Sequence, residues 1–290
     1  MFKGSMIPIV TPFKGGKIDE EGLKGLIEFH IEGGSDAIIP CGTTGESATL
    51  THKEHEQLIE LCLEAVNGRL PVIAGTGSNS TDEAVKLTSF AKKAGADGAL
   101  LITPYYNRPT QEGLYQHYRA IALETDLPLI LYNVPSRTGT NMLPETVARL
   151  SEFPSIVGIK EASGSLRQIY DIIHLCGDQF GVFSGDDFTN YAILTAGGRG
   201  VISVTANIVP EKIAAMWDTF EAGDYVASRE IHYQLIKLHN AMFLETNPIP
   251  VKAGLALMGK IKPDMRLPLT TMAPEALEKL KKVMADYKLL

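Results

Sequence analysis

The sequence has little of several things, and each shortage excludes a class of protein. It has only three cysteines, Cys41, Cys62 and Cys176, odd in number and far apart. That pattern makes neither a disulfide framework nor a zinc site, and it suits a reducing cytoplasm. Positive charge is not in excess: 27 basic residues stand against 34 acidic ones, for a net charge of -7. A nucleic-acid partner would call for a basic stripe, so none is expected. Every apolar run is of strand length and is broken by Gly, Pro or a polar residue, so no membrane span is expected. The start, MFKGSMIPIV, lacks a basic stretch followed by a long apolar core and a small-residue cleavage site, so no signal peptide is expected either. No G-x-G-x-x-G follows the first apolar run, and no Gly-Lys-Ser/Thr closes a glycine-rich loop. These absences argue against a dinucleotide fold and a Walker phosphate loop.

What is present is regular. The chain has 290 residues, 44% hydrophobic and 21% charged, the profile of one large globular core. Eight apolar runs recur: 5–10, 36–41, 71–76, 98–103, 128–133, 156–161, 180–185 and 200–205. They are continuously apolar rather than alternating, as strands buried on both faces are. Helix-patterned segments separate them. Asp19 suits an N-cap, Thr51 with Glu54 and Ser80 with Glu83 read as capping boxes, and Gly33 and Gly95 stand where C-cap glycines do. Eight strict β-α alternations predict a closed parallel (β/α)8 barrel, or TIM barrel, over 1–223. Residues 224–290 show no strand pattern and predict a small helical appendix. Its helices lie around 224–241, 248–258 and 273–290, with breaks at Pro248, Pro263 and Pro268.

Chemistry in such a barrel belongs at the C-terminal ends of the strands. Lys160 is the anomaly there, because it ends an otherwise apolar run. Period-2 alternation points it the same way as Ile156 and Gly158, and Gly158 is expected to leave room below its stem. A buried lysine loses its proton more readily and becomes a nucleophile. A lysine at the rim, or one paired with neighbouring Glu161, fits the position equally well. Tyr132 ends the preceding run, where a phenol can relay protons or merely pack in the core. Arg137 follows in the next loop, where a guanidinium can grip a carboxylate or simply be solvated. Thr43 and Thr44, between Gly42 and Gly45, can bind a small carboxylate or form a plain turn.

A metal mechanism is disfavoured. The seven histidines, His30, His52, His55, His117, His174, His232 and His239, all fall in helical segments or the appendix. Asp186 and Asp187 alone make a weak metal site, and GGRG at 197–200 reads as a structural turn entering the eighth strand from the wrong end for catalysis.

Seven motifs in order carry a resemblance: GTTGES (42–47), PYYNRP (104–109), YNVPSRTG (132–139), GIKEASG (158–164), SGDD (184–187), GVISVTAN (200–207) and NPIPVK (247–252). Over essentially its whole length the chain resembles the dihydrodipicolinate synthase family of pyruvate-dependent class I aldolases, which also contains N-acetylneuraminate lyase. The resemblance implies that Lys160 forms a Schiff base with pyruvate. It implies a proton relay of Tyr132, Thr43 and Tyr106, the last reaching across a subunit interface. It implies that Thr44 holds the pyruvate carboxylate, that Arg137 receives L-aspartate 4-semialdehyde, and that Gly185 and Ile202 line the pocket. No cofactor and no metal are implied beyond the covalent imine, and the expected assembly is a homotetramer built as a dimer of dimers. Ser47, Ala48, Leu50, His52, His55, Asn79, Glu83 and Tyr105 match positions where lysine-sensitive members bind lysine as a feedback inhibitor. Glu83 also reads as a simple capping acid, and the histidines as surface residues.

Two alternatives remain at this point. One is a sibling aldolase acting on a sugar acid, against which stand Thr43-Thr44 and Arg137, the pattern of the synthase branch. The other is a non-enzymatic barrel, which the set Lys160, Tyr132, Thr43 and Arg137 opposes.

Overall fold

The computed structural model describes residues 2–290. All eight apolar runs form strands: β1 (Gly4–Pro8), β2 (Ala37–Ile39), β3 (Ile73–Gly75), β4 (Gly98–Ile102), β5 (Leu129–Asn133), β6 (Ile156–Glu161), β7 (Gly181–Ser184) and β8 (Gly200–Ile202). Their hydrogen-bonded order is β2-β1-β8-β7-β6-β5-β4-β3. In that order every consecutive pair of strands is adjacent except β2 and β3, and β1 neighbours β8, which is the connectivity of a nearly closed (β/α)8 barrel. A two-stranded antiparallel hairpin, Phe13–Lys14 with Lys17–Ile18, was not legible in the sequence because each strand is only two residues long.

The helices are α1 (Glu20–Glu32), α2 (His52–Val66), α3 (Thr81–Ala94), α4 (Gln111–Glu124), α5 (Pro135–Thr138), α6 (Pro144–Ser151), α7 (Leu166–Cys176), α8 (Asn190–Ala196), α9 (Pro210–Glu221), α10 (Tyr225–Ala241), α11 (Ile249–Leu257) and α12 (Pro274–Asp286). The last three fall where the proline breaks predict them. No helix among the described residues is long and apolar enough to cross a membrane.

Local signals are mostly realised. Asp19 caps α1 by accepting from Gly22 N at 3.2 Å, and Thr51 and Glu54 form a complete capping box on α2. The Ser80 box is only half formed. Ser80 accepts from Glu83 N, but the Glu83 carboxylate accepts instead from the Ser78 hydroxyl. Gly33 ends α1 with an ordinary φ of -77°, and the left-handed turn falls on Gly34 at +76°. The expectation for Gly158 also needs correction. A Cβ there would collide with the Gly181 carbonyl oxygen and lie 2.9 Å from the Phe183 ring, so this glycine admits the neighbouring strand rather than the lysine stem.

The chain divides into two compact units. One comprises residues 2–4 and Pro71–Ile202. It carries β3 to β8 with α3 to α8 around a core that includes Ile73, Leu101, Leu131, Ile159 and Val182, all buried. The other comprises Ser5–Leu70 and Ser203–Leu290. It packs Met6, Ile38, Leu58, Met216, Leu255 and Met284 inside, so α10 to α12 share a unit with the N-terminal segment.

Candidate active site

In the first unit, β5 and β6 pair in parallel with Tyr132 opposite Lys160 and Asn133 opposite Glu161. Side chains alternate along a strand, so Tyr132 and Lys160 face one side and Asn133 and Glu161 the other. Lys160 is 4% exposed, and its Nζ lies 4.3 Å from the centre of the Tyr132 ring. Burial pushes its pKa down to about 7; the Asp187 carboxylate opposes that shift and the Arg137 guanidinium adds to it. Desolvation dominates because an ammonium loses its hydration in the interior. The lysine therefore has a free amine near neutral pH without a dedicated base.

Pairing with Glu161 is excluded. That carboxylate points away and accepts from Asn133 Nδ2 at 3.0 Å, Gln168 Nε2 at 3.2 Å and Ser163 N at 2.6 Å. Room for the lysine comes from Gly185 after β7, where a Cβ would lie 2.9 Å from Lys160 Cγ and 3.0 Å from Cε. Ile202 ends β8 and is buried. Arg137 sits exposed on the one-turn helix α5, which Pro135 starts and left-handed Gly139 ends.

Asp187 is the residue that sequence reasoning missed. In the sequence SGDD is a family motif and a weak metal pair, and neither reading gives Asp187 a role beside the lysine. The two acids in fact diverge. Asp186 Oδ1 caps Phe188 N at 3.1 Å, whereas Asp187 is buried in the turn after β7, with Oδ1 accepting from Asn190 Nδ2 at 3.2 Å. Its position directly after a strand end was the available signal. GGRG forms a turn as expected, and a Cβ on Gly200 would collide with the Gly4 carbonyl oxygen.

The second unit holds Thr43 and Thr44 in the turn after β2. Thr44 is buried and its Oγ1 accepts from Asn247 Nδ2 at 3.0 Å. Glu46 closes the turn in a left-handed conformation, φ 54°, which costs a non-glycine residue about 1 kcal/mol. Its carboxylate meets Lys252 Nζ at 2.5 Å, with both side chains essentially out of solvent. Burial lowers the Lys252 pKa, and Glu46 pulls it back up. Arg266 donates from its backbone N to Glu46 at 3.3 Å and from its guanidinium to Glu54 at 2.5 and 2.9 Å, which draws the Glu54 pKa down to about 2. Asn247 and Lys252 belong to NPIPVK, so that motif fastens the GTTGES turn. Sequence distance had hidden the connection, since about 200 residues separate the partners.

The candidate inhibitor residues fall in two groups. In the first unit, Asn79 Nδ2 donates to the Tyr105 carbonyl at 3.1 Å, and Glu83 is engaged by Ser78. In the second, Ser47 and Ala48 lie in a 3-10 turn, Leu50 follows it, and His52 and His55 share the first turn of α2. His55 is buried rather than on the surface. Tyr106 is 91% exposed, at φ 72°.

A model of the dihydrodipicolinate synthetase family matches residues 1–287. The chain is 60% identical over 290 residues to the 4-hydroxy-tetrahydrodipicolinate synthase of Syntrophus aciditrophicus (strain SB), covering all of both. Its structure is similar to that of dihydrodipicolinate synthase from Aquifex aeolicus, with a TM-score of 0.98 and 47% identity over 99% of each chain. It is also similar to the enzyme from Cyanidioschyzon merolae with lysine bound, with a TM-score of 0.96 and 43% identity over 100% of this chain and 99% of that one. By sequence over its full length and by fold, the chain belongs to the dihydrodipicolinate synthetase family.

Proposed function

We propose that this lyase is a 4-hydroxy-tetrahydrodipicolinate synthase, which condenses pyruvate with L-aspartate 4-semialdehyde in the first committed step toward lysine and diaminopimelate. The observation that carries the reading is Lys160: buried with its Nζ over the Tyr132 ring, where burial lowers its pKa to about 7. Its free amine attacks the pyruvate carbonyl carbon and water leaves, giving an imine. The protonated imine draws electrons from the adjacent methyl, which loses a proton to become an enamine. The enamine carbon attacks the aldehyde and the new alkoxide takes up a proton. The amine of the second substrate then displaces Lys160 and closes the ring, returning the enzyme.

Within that scheme Tyr132 is the near proton carrier, with Thr43 and Tyr106 completing the relay. Thr44 binds the pyruvate carboxylate, Arg137 that of the semialdehyde, and Gly185 and Ile202 line the pocket. Asp187 tempers the depression of the Lys160 pKa, which keeps the lysine able to carry a proton. Lysine itself supplies the electron sink, so no separate cofactor is needed. The site lies on a barrel spanning 1–223, with 224–290 as a helical appendix. The working assembly is a homotetramer in a reducing cytoplasm, with free lysine as feedback inhibitor through Ser47, Ala48, Leu50, His52, His55, Asn79, Glu83 and Tyr105.

Borohydride reduction with pyruvate tests the chemistry: a stable adduct on Lys160 is expected, and an adduct elsewhere or none rejects it. Comparing condensation with cleavage of keto-sugar acids tests the substrate; a clear preference for the sugar acid would move the chain to the sibling branch. Initial rates that stay constant up to millimolar lysine would reject the inhibitory site.

A further inference from the structure

Behind the two reactive side chains lies a buried polar cluster that the reaction itself does not use. Glu161 is fully buried, and its two oxygens meet four donor contacts: Asn133 Nδ2 at 3.0 and 3.4 Å, Gln168 Nε2 at 3.2 Å and Ser163 N at 2.6 Å. No cation is among these partners. Such a carboxylate is costly to bury, and replacing it by an apolar residue would ordinarily be cheaper. Its presence at the end of β6 therefore calls for a reason in what it holds.

It holds the parts of the site together. Asn133 follows Tyr132 and Glu161 follows Lys160, in register, so the Asn133–Glu161 bond ties the two strands one residue beyond the reactive pair. Asn133 Oδ1 also accepts from Met142 N at 3.0 Å, and its Nδ2 donates to Asn141 Oδ1 at 2.8 Å. Asn141 and Gln168 exchange a reciprocal amide pair at 2.9 and 3.2 Å. The cluster thus closes the 134–142 segment, which carries Arg137, back onto the strand ends. A strand end has few ladder bonds left to fix it, so side-chain bonds there set where the last residues point.

We propose that Glu161 and Asn133, braced by Gln168 and Asn141, form a positioning network that fixes Lys160 against Tyr132 and sets the Arg137 segment relative to both. This deepens the functional reading above and rests on it. Glu161 acts through geometry and not through charge on the lysine, whose shift arises from burial, Asp187 and Arg137.

The polarity of the cluster provides the test. Every group facing Glu161 is a donor, so Glu161→Gln sets an amide N–H₂ against Asn133 and Gln168. Adding Asn133→Asp supplies an acceptor on the other strand, and the remaining amides can turn over to match. The readouts are the rate of borohydride trapping of pyruvate on Lys160, its pH midpoint, kcat for condensation, and the thermal midpoint. For Glu161→Gln, trapping and kcat should fall about ten- to a hundredfold per folded site, as displacements of about 1 Å do. The pH midpoint should stay near the wild-type value. The double variant Asn133→Asp/Glu161→Gln should recover most of the loss, as coupled partners do. Wild-type rates in folded Glu161→Gln would overturn the proposal, as would a shifted pH midpoint or a loss confined to thermal stability. If that variant does not fold, Gln168→Leu decides: slowed trapping supports the network and an unchanged rate overturns it. Failure of wild-type enzyme to trap pyruvate on Lys160 would sink the functional reading itself, whereas wild-type trapping with an insensitive variant sinks only the network.

Discussion

Gly185 and Lys160 occupy one space: a Cβ on the glycine would lie 2.9 Å from the lysine Cγ and 3.0 Å from Cε. The same Cβ would also lie 2.9 Å from that of Ala162, so the added methyl has no free side to turn toward. The buried lysine stem depends on an absent side chain just past the end of the neighbouring strand, β7.

Gly185→Ala should therefore displace the lysine rather than unfold the chain. Overpacking of this kind costs about 1–3 kcal/mol. Urea unfolding should show that loss, and borohydride trapping of pyruvate should slow by about tenfold or more from misplacement of the amine. A variant with wild-type trapping would show that the stem has room to spare.

The Lys160 pKa, lowered from 10.5 to about 7, predicts a pH profile. The free amine falls to about one-tenth at pH 6 and exceeds about nine-tenths above pH 8, so trapping rates should drop near tenfold per unit on the acid side. The stability linkage runs the same way. Between pH 7 and 10.5 the unfolded chain holds a proton on this lysine that the folded chain lacks, so its contribution to stability improves as pH rises through that window. Below pH 7 the full penalty of burying the charge applies. Lys160→Met should accordingly abolish trapping yet raise stability at pH 6, by about 1–4 kcal/mol. Calorimetry at pH 6 and pH 10 checks the sign, since the gain should shrink at the higher pH.

The Glu46–Lys252 pair predicts an asymmetry between variants. Lys252→Met leaves the Glu46 carboxylate buried without its cation and should cost about 3–5 kcal/mol. Glu46→Gln with Lys252→Met together should recover much of that loss, because no buried charge is left alone. Thermal unfolding of the single and the double variant measures it. The KM for pyruvate should rise in Lys252→Met, because the Thr44 turn loses its fastening.

Tyr106 predicts complementation. With its side chain 91% exposed in the single chain, its proposed role requires a partner subunit. Tyr106→Phe and Lys160→Ala should each be nearly inactive alone, and co-refolded mixtures should regain activity in sites that combine an intact Lys160 with a Tyr106 from the neighbour. Mixtures that stay inactive while forming hybrids, checked by native mass spectrometry, would place Tyr106 outside the relay.

Much of the architecture was legible because it is written in local patterns. Eight apolar runs became eight strands, and Pro248 and Pro268 flank the helices of the appendix as read. Lys160 stood out because a lysine ending an apolar run is chemically discordant. What escaped had non-local causes. The room expected from Gly158 comes from Gly185 instead, because only strand pairing reveals which backbone approaches which side chain. Glu83 looked like a capping acid until Ser78 claimed its carboxylate. Asp187 is not legible in the sequence, since two adjacent acids carry no information about which one turns inward.

The sequence by itself determined the order of strands and helices, the family, and a lysine out of keeping with its apolar strand. Tertiary structure decided the state of that lysine. Burial depth, the counter-charge of Asp187, the gap at Gly185 and the separate engagement of Glu161 all arise from segments far apart in the chain. A pKa depends on distances and dielectric in three dimensions. No spacing along one dimension contains them.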